Sequence, residues 1–172
     1  MIDSVQMAEA TIPMDSKDLE KFEIFKGLTA EQVDELYVWL QRRDFPAGVH
    51  IFEEGQPTNG LYLLTGGTVS VVKKSTYGKV KLTEIKAPSF FGEMGLLAGG
   101  LRTAGVRAVT AVVAGFLPGE LYERKLSENN TTALRIGVNI GRILCLRLGD
   151  TSGLLATQTA LVARKITKVS EK

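Results

Sequence analysis

Between Arg42 and Leu117 the sequence is divided into short β-rich runs by turn-forming residues. The breaks are rich in glycine and proline and recur at short intervals: Pro46-Ala47-Gly48, Glu54-Gly55-Gln56-Pro57, Gly66-Gly67, Tyr77-Gly78-Lys79 and Ala87-Pro88. Glycine and proline favour the backbone geometries of tight turns, so each break is expected to end one strand before the next begins. Many short strands with regular turn signals favour a β-sandwich or a β-barrel.

Six runs in this region are predicted to be strands, and helical patterns flank them on both sides. The predicted strands are His50–Phe52, Gly60–Thr65, Thr68–Lys74, Val80–Ile85, Ala104–Val109 and Val112–Leu117. Before them, Asp15 or Ser16 begins a predicted helix that runs through Phe25. Thr29 begins a second helix, because Thr29-Ala30-Glu31-Gln32 has the pattern of a capping box. After Pro118, we predict one helix over residues 119–127 and a longer one that begins near Asn130.

The last predicted helix carries two apolar stripes. The first stripe contains Leu134, Val138, Cys145, Leu148, Leu155, Val162 and Ile166, and with Gly141, Ser152 and Thr159 filling the gaps it follows alternating steps of four and three residues. The second stripe contains Ile136, Ile140, Leu144, Leu154 and Leu161. One stripe can cover the β-domain and the other needs a partner, so we expect a homodimer. The alternative is an amphipathic helix that lies on its own domain. Gly149 and Gly153 disfavour a helix, so the sequence also allows the helix to kink or to end at these glycines.

The composition excludes several classes of function. The chain has 172 residues, enough for one main domain with a hydrophobic core. Its single cysteine, Cys145, excludes an internal disulfide, and its single histidine, His50, leaves no histidine-based zinc site or catalytic triad. The net charge of +2 gives no sign of nucleic-acid binding, and no membrane-spanning run or secretory signal is recognisable. We therefore expect a cytoplasmic protein without a metal, a cofactor or catalytic residues that contacts neither nucleic acid nor membrane.

A glycine-rich segment, Phe91-Gly92-Glu93-Met94-Gly95-Leu96-Leu97, is followed five residues later by Arg102-Thr103-Ala104. Glycines let backbone amides approach an anion closely, and a short helix that begins there would direct its positive end to the same anion. An arginine provides a permanently charged fork for phosphate oxygens. A glutamate only accepts hydrogen bonds and therefore suits a sugar hydroxyl. A cyclic phosphodiester fused to a ribose needs this combination of groups.

The run from Phe91 to Ala108 resembles the phosphate-binding cassette of the cyclic-nucleotide-binding domain family, with Gly-Glu, Leu-Leu and Arg-Thr-Ala in the family's order. This family includes the sensory domain of bacterial catabolite activator proteins, kinase regulatory subunits and cyclic-nucleotide-gated channels. The resemblance covers about residues 22–148 and also rests on Ile24–Leu28, Phe45–Gly48, Ile51–Gly55, Leu61–Leu64 and Gly67–Val69. It implies a mainly β fold with flanking helices, namely an eight-stranded antiparallel β-roll (a double-stranded β-helix of the jelly-roll type) plus a long C-terminal helix. The cassette would lie between strands six and seven.

The resemblance also implies roles for individual residues. Glu93 would accept a hydrogen bond from the ribose 2′-hydroxyl, and Arg102 would pair with the cyclic phosphate. The alternative is that Glu93 and Arg102 form only a structural ion pair. Backbone groups would complete the cradle at Gly92, Met94, Gly95, Thr103 and Ala104. Thr103 leaves the choice between cyclic AMP and cyclic GMP open. From the last helix Arg147, or as the lesser candidate Arg142, would cover the base, and the alternative is a solvated helix charge.

The predicted organisation has three parts. They are an N-terminal arm over residues 1–20, a cyclic-nucleotide-binding β-roll with flanking helices over residues 21–128, and a dimerisation and lid helix with its tail over residues 129–172. Only about two dozen residues follow Leu148, and no DNA-recognition helix is visible in them. We therefore expect a stand-alone sensor that is not an enzyme and acts on an unidentified downstream protein. The alternative is a ligand-independent scaffold that keeps the fold and acts by dimerisation.

Overall fold

A computed structural model describes residues 15–76 and 78–170, with the side chains of Ser16, Gln158, Thr159 and residues 161–170 left aside. Most of the expected N-terminal arm lies outside these residues, and the three predicted domain boundaries stay predictions. The described residues form eight strands: β1 (Gln41–Phe45), β2 (His50–Phe52), β3 (Gly60–Gly66), β4 (Thr68–Ser75), β5 (Gly78–Lys86), β6 (Ser89–Phe91), β7 (Gly105–Ala108) and β8 (Val112–Pro118). In the same part of the chain the α-helices are α1 (Ala30–Trp39), α2 (Glu93–Ala98), α3 (Gly119–Ser127) and α4 (Thr131–Ser170).

The strands form two four-stranded antiparallel sheets. One sheet has the order β1-β8-β3-β6 and the other has the order β2-β7-β4-β5. Because strands that follow one another in the chain lie mostly in different sheets, the chain passes repeatedly between the two layers, as in a jelly roll. The predicted fold class is therefore confirmed, including the position of the cassette between β6 and β7.

The six predicted strands are all present, with ends that differ by at most two residues. The runs in the sequence did not indicate β1 and β6 as separate strands. The sequence of β1, Gln-Arg-Arg-Asp-Phe, is mostly polar, and β6 has only three residues. Both become strands because they pair with a longer strand, β1 with β8 and β6 with β3.

The N-terminal helix that was predicted to run through Phe25 is wrong in type. The segment instead forms two 3₁₀ turns, Ser16–Lys21 and Glu23–Phe25, joined by Phe22 in an extended conformation. Leu19, Phe22, Ile24 and Phe25 are all buried. The extended backbone at Phe22 separates the two turns, and both bury apolar side chains in the core.

The capping box that was predicted for α1 is confirmed. The Thr29 hydroxyl accepts a hydrogen bond from the Gln32 backbone N–H at 3.3 Å, and the Gln32 side chain accepts one from the Thr29 N–H at 3.0 Å. At the start of α4, the Asn130 side chain similarly accepts a hydrogen bond from the Ala133 N–H at 3.0 Å. Both caps satisfy backbone donors that would otherwise have no partner in the first turn.

The core has two layers that share β3. Leu61 and Leu63 pack against the helices, whereas Tyr62 and Leu64 point between the two sheets. This alternation follows from the two-residue period of a strand. Because both faces of β3 are covered, its sequence from Leu61 to Leu64 is a continuous apolar run. Each aliphatic side chain that is fully buried in this way contributes roughly 1.5–3 kcal/mol.

Helix α4 runs without a break through Gly149 and Gly153. Its second stripe begins in the core, where Ile136 and Ile140 are fully buried, but Leu154 further along is exposed. Most of the first stripe is exposed where the structure describes it, including Leu134, Val138, Cys145, Leu148 and Leu155, and Val162 and Ile166 lie outside the described side chains. Within the described part of the chain, no helix has the length and apolar character to cross a membrane.

Candidate ligand-binding site

The site begins where β6 ends and the chain turns sharply into α2. Gly92 makes this turn with a φ of 83°, in the left-handed region that glycine adopts most easily. A Cβ at this position would lie 2.6 Å from Nη1 of Arg102. The glycine therefore permits both the turn and the close approach of the arginine.

A cavity of about 410 Å³ lies next to this turn. Its lining contains all seven residues of the predicted cradle, namely Gly92, Glu93, Met94, Gly95, Arg102, Thr103 and Ala104. Arg147 from α4 also lines the cavity. Arg142, the lesser candidate for the base contact, is exposed and is not among the lining residues.

Arg102 is buried, with only 4% of its surface exposed. Its guanidinium donates hydrogen bonds to the backbone carbonyls of Gly92 (3.3 Å) and Gly60 (2.9 Å) and to the side-chain oxygen of Asn59 (2.7 Å). It also lies 4.0 Å above the ring of Phe52. These neutral partners fix the direction of the guanidinium without neutralising its charge.

Two features show that Arg102 is not fully satisfied by the protein. Its Nε is buried without a hydrogen-bond partner, and within the described residues no salt bridge joins it to a carboxylate. Burial lowers the pKa of its guanidinium below the ordinary arginine value. A buried charge of this kind is costly unless an anion accompanies it.

Glu93 is the first residue of α2 and is also buried. Its Oε1 accepts a hydrogen bond from Nη1 of Arg147 at 2.9 Å, in an ion pair that joins α2 to α4. The guanidinium of Arg147 lies 4.9 Å from the centre of the Phe90 ring. The ion pair of Glu93 is thus with Arg147, and the alternative of a structural ion pair between Glu93 and Arg102 is wrong.

The remaining walls of the cavity are largely apolar. Val71, Leu82, Ile85 and Val106 contribute aliphatic side chains, and Thr83 contributes a hydroxyl. This surface suits a flat group with an apolar face, opposite a charged end at Arg102.

Lys73 also lines the cavity, and the sequence reasoning did not place it there. With Lys74, Lys79 and Lys81 it belongs to the hairpin of β4 and β5, where a group of lysines is typical of a solvated edge that resists strand pairing. In the structure, Nζ of Lys73 donates a hydrogen bond to the Thr103 carbonyl at 2.7 Å. These residues are 30 positions apart, so only the pairing of β4 with β7 reveals the contact.

Comparison with known proteins decides the family. The family model described as "Cyclic nucleotide-binding domain" matches residues 42–129, just over half of the chain. The chain belongs to the cyclic nucleotide-binding domain family. Solved structures are similar to this chain as well. The Thermus thermophilus catabolite activator protein matches with a TM-score of 0.70 and 29% identity, over 80% of this chain and 63% of that one. A cyclic nucleotide-binding domain from Methylobacillus flagellatus has a TM-score of 0.73 at 20% identity, over 83% of this chain and 80% of that one, and shows the shared fold alone.

Curated relatives carry the same cyclic nucleotide-binding domain in different settings. A CRP-like cAMP-activated global transcriptional regulator of Mycobacterium tuberculosis is 30% identical over 134 residues, which are 77% of this chain and 58% of that protein. The human cGMP-dependent protein kinase 2 is 29% identical over 105 residues, which are 61% of this chain and 13% of the kinase. This chain therefore spans less than two thirds of these relatives. The domain thus occurs both in a transcriptional regulator and in a kinase, and the absence of catalysis in this protein stays a prediction.

Proposed function

We propose that this protein is a sensor that binds cyclic AMP or cyclic GMP in the cavity between α2 and the sheet β2-β7-β4-β5. The observation that carries the proposal is the buried Arg102, whose Nε has no partner among the described residues and whose guanidinium forms no salt bridge with a carboxylate of those residues. A cyclic phosphate would supply both the acceptor and the negative charge. Membership of the cyclic nucleotide-binding domain family supports the same class of ligand.

In the proposed complex, each end of the ligand meets different chemistry. The phosphate lies against Arg102 and the backbone of Gly92, Met94, Gly95, Thr103 and Ala104. Glu93 uses its second carboxylate oxygen, Oε2, for the ribose 2′-hydroxyl, because Oε1 is already bonded to Arg147. The base lies along the aliphatic wall, where the guanidinium of Arg147 covers it. The positive Arg102 and the negative Glu93 thus meet different groups of the ligand, and this difference fixes its orientation.

We further propose that ligand binding is coupled to α4 and that α4 forms a homodimer. The exposed Leu134, Val138 and Leu148 follow the spacing of a coiled-coil seam and support this arrangement. The ligand can shift the angle between the β-roll and α4 only as far as its affinity differs between the two arrangements. A downstream protein would read this change, and the stand-alone organisation and the cytoplasmic location stay predictions.

Calorimetric titration with cyclic AMP, cyclic GMP and linear 5′-AMP tests the proposal. We expect saturable heat with at least one cyclic nucleotide, and much weaker binding of 5′-AMP, whose doubly charged terminal phosphate differs in shape from the ring. The relative affinity of the two cyclic nucleotides gives the base preference that Thr103 leaves open.

A thermal melt discriminates the proposal from the alternative of a ligand-independent scaffold. A ligand at 100 times its Kd raises the free energy of unfolding by about 2.7 kcal/mol. If near-millimolar cyclic AMP and cyclic GMP give neither heat nor a shift in Tm, the sensor proposal fails and the scaffold remains.

A further inference from the structure

Lys73 is a half-exposed lysine whose ammonium group is held in one place. Its Nζ donates a hydrogen bond to the Thr103 carbonyl at 2.7 Å and lies 3.4 Å from Oε1 of Glu54. The other oxygen of Glu54 accepts a hydrogen bond from the Lys74 backbone N–H at 2.7 Å. Lys73 therefore connects β4 and the Glu54 turn to the segment that carries the proposed phosphate cradle.

The rest of that segment is fixed by backbone hydrogen bonds on both sides of Thr103. The Arg102 N–H donates to the Gln56 carbonyl at 2.8 Å, and the Arg102 carbonyl accepts from the Gly55 N–H at 2.9 Å. After the segment, Gly105 pairs with Val72 of β4. The bend at Thr103 and Ala104 lies between these two anchors, where Lys73 provides a side-chain contact.

Peptide geometry gives this contact a consequence for the cradle. In a trans peptide, the carbonyl of one residue and the N–H of the next point in opposite directions. The peptide between Thr103 and Ala104 is trans, since within the described chain the cis bond is Ala87-Pro88. A Thr103 carbonyl that is held by Lys73 thus turns the Ala104 N–H to the side away from Lys73.

We propose that Lys73 is a positioning residue for the phosphate cradle. By holding the Thr103 carbonyl, it orients the Ala104 N–H so that this amide donates to an oxygen of the cyclic phosphate. The inference rests on the proposed function, because it takes a cyclic phosphate as the acceptor. Lys73 acts here through the backbone of its neighbour and not as a general positive charge near the site.

The first test compares Lys73→Met with Lys74→Met. The two lysines are adjacent and both exposed, and each substitution removes one positive charge while keeping an unbranched stem. Calorimetry with cyclic AMP and cyclic GMP should show binding to Lys73→Met weakened about 5- to 10-fold, the equivalent of one hydrogen bond, and binding to Lys74→Met changed less than 2-fold. Raising the salt from about 0.05 M to about 0.5 M screens long-range charge, so a positioning effect keeps its fold-change. Equal affinity of Lys73→Met and the wild type, or a loss that disappears in high salt, would overturn the proposal.

The second test reads the peptide itself by nuclear magnetic resonance. In the protein without nucleotide, Lys73→Met should move the ¹³C resonance of the Thr103 carbonyl, because the carbonyl loses its donor, and Lys74→Met should not. Nucleotide should shift the Ala104 amide proton downfield in the wild type and in Lys74→Met, and much less in Lys73→Met.

These readouts separate the two proposals. If the wild type binds neither cyclic nucleotide, the proposed function fails, while the Thr103 resonance still tests the contact with Lys73. An unchanged Thr103 resonance in Lys73→Met overturns the role of Lys73 whether or not the wild type binds. Where the wild type binds, a shift of the Ala104 amide that is undiminished in Lys73→Met overturns it as well.

Discussion

Arg102 combines two properties that rarely occur together in one side chain. It is almost fully buried, and all its hydrogen-bond partners are neutral oxygen atoms. Arginines that stabilise a fold from the interior are usually paired with a carboxylate, which repays part of the cost of desolvation. Here the carboxylate of Glu93, which acts to raise the pKa of Arg102 against the effect of burial, pairs with Arg147 instead. The phosphate of the proposed ligand would supply the acceptor and the negative charge that Arg102 lacks among the described residues.

Replacing Arg102 should therefore reduce ligand affinity more than fold stability. We expect Arg102→Ala to weaken binding of cyclic nucleotide by about 1.5–3 kcal/mol, or roughly 10- to 150-fold, the range for hydrogen bonds to charged groups. Arg124→Ala on the exposed side of α3 is the matched control and should bind like the wild type. The measurement is a calorimetric titration, with circular dichroism to confirm folding. A folded Arg102→Ala that binds with wild-type affinity would contradict the proposed site.

Tyr122 is a buried residue whose stability contribution depends on pH. Burial raises the pKa of its hydroxyl to about 12, and the hydroxyl donates a hydrogen bond to the Ala133 carbonyl at 3.2 Å. Since the pKa is about 10 in the unfolded chain, the stabilisation is complete below pH 10 and is lost as the pH rises toward 12. Urea titrations from pH 9 to pH 11.5 should show the free energy of unfolding of the wild type falling toward that of Tyr122→Phe. A constant difference between the two proteins over this range would refute the assignment.

At the scale of elements, α4 shows why two glycines in one helix have different roles. Gly137 faces Tyr122, and a Cβ there would lie 2.7 Å from the tyrosine hydroxyl oxygen. Gly141, one turn later, has no atom within 4 Å of the corresponding position. The first glycine is therefore required by packing, whereas the second leaves the helix less stable than an alanine would.

This difference gives opposite expectations for the same substitution. Gly141→Ala should raise the free energy of unfolding by up to about 1 kcal/mol through helix propensity. Gly137→Ala makes the same gain but loses about 1–3 kcal/mol by overpacking against Tyr122, so the net effect should be a loss. Urea denaturation of both variants measures the difference. Stabilisation by both substitutions would show that α4 can move away from Tyr122 at little cost.

The sequence predicted elements well where the signal was local. The capping box at Thr29 and the helix after Pro118 depend on a few adjacent residues and are confirmed. The polar β1 was missed because its pairing with β8 comes from more than 60 residues away. The 3₁₀ turns before α1 were missed because the burial of Phe22 and Ile24, and not helix propensity, decides the backbone there.

The candidate site follows the same rule. Gly92 to Arg102 are close in the sequence, so their grouping around one cavity could be predicted from the order of the residues. The contacts of Lys73 with Thr103 and of Arg147 with Glu93 join residues 30 and 54 positions apart. The resemblance implied a ligand contact for Arg147, but the bond between Arg147 and Glu93 is visible only in the structure, where α4 lies beside α2.

At the scale of the whole molecule, the exposed stripe of α4 is the main argument for a second copy of the chain. Leu134, Val138 and Leu148 are all about half exposed or more, while Ile136 and Ile140 on the neighbouring stripe are fully buried. A row of aliphatic side chains at coiled-coil spacing is typical of a helix that pairs with another helix. A monomer would leave this row in water.

Two leucines of α4 provide a matched test of the homodimer. Leu148 belongs to the first stripe and Leu146 does not, yet both are 67% exposed in the single chain. We expect Leu148→Asp to shift the mass measured by light scattering from twice the mass of the chain toward one chain, because it places two carboxylates opposite each other. Leu146→Asp should remain dimeric. A wild type of single-chain mass at high micromolar concentration would remove the proposed dimer.

The Arg147–Glu93 ion pair lies near the middle of α4, and the helix continues for 23 residues beyond it, to Ser170. At 1.5 Å per residue this distal part is a rod of about 35 Å. A pivot of only about 10° at Arg147 would sweep the tip of the rod through roughly 6 Å, by simple trigonometry on that length. A small adjustment of the Arg147–Glu93 pair on binding of the proposed ligand would in this way become a displacement large enough for another macromolecule to detect, with no flexible joint required anywhere along the helix.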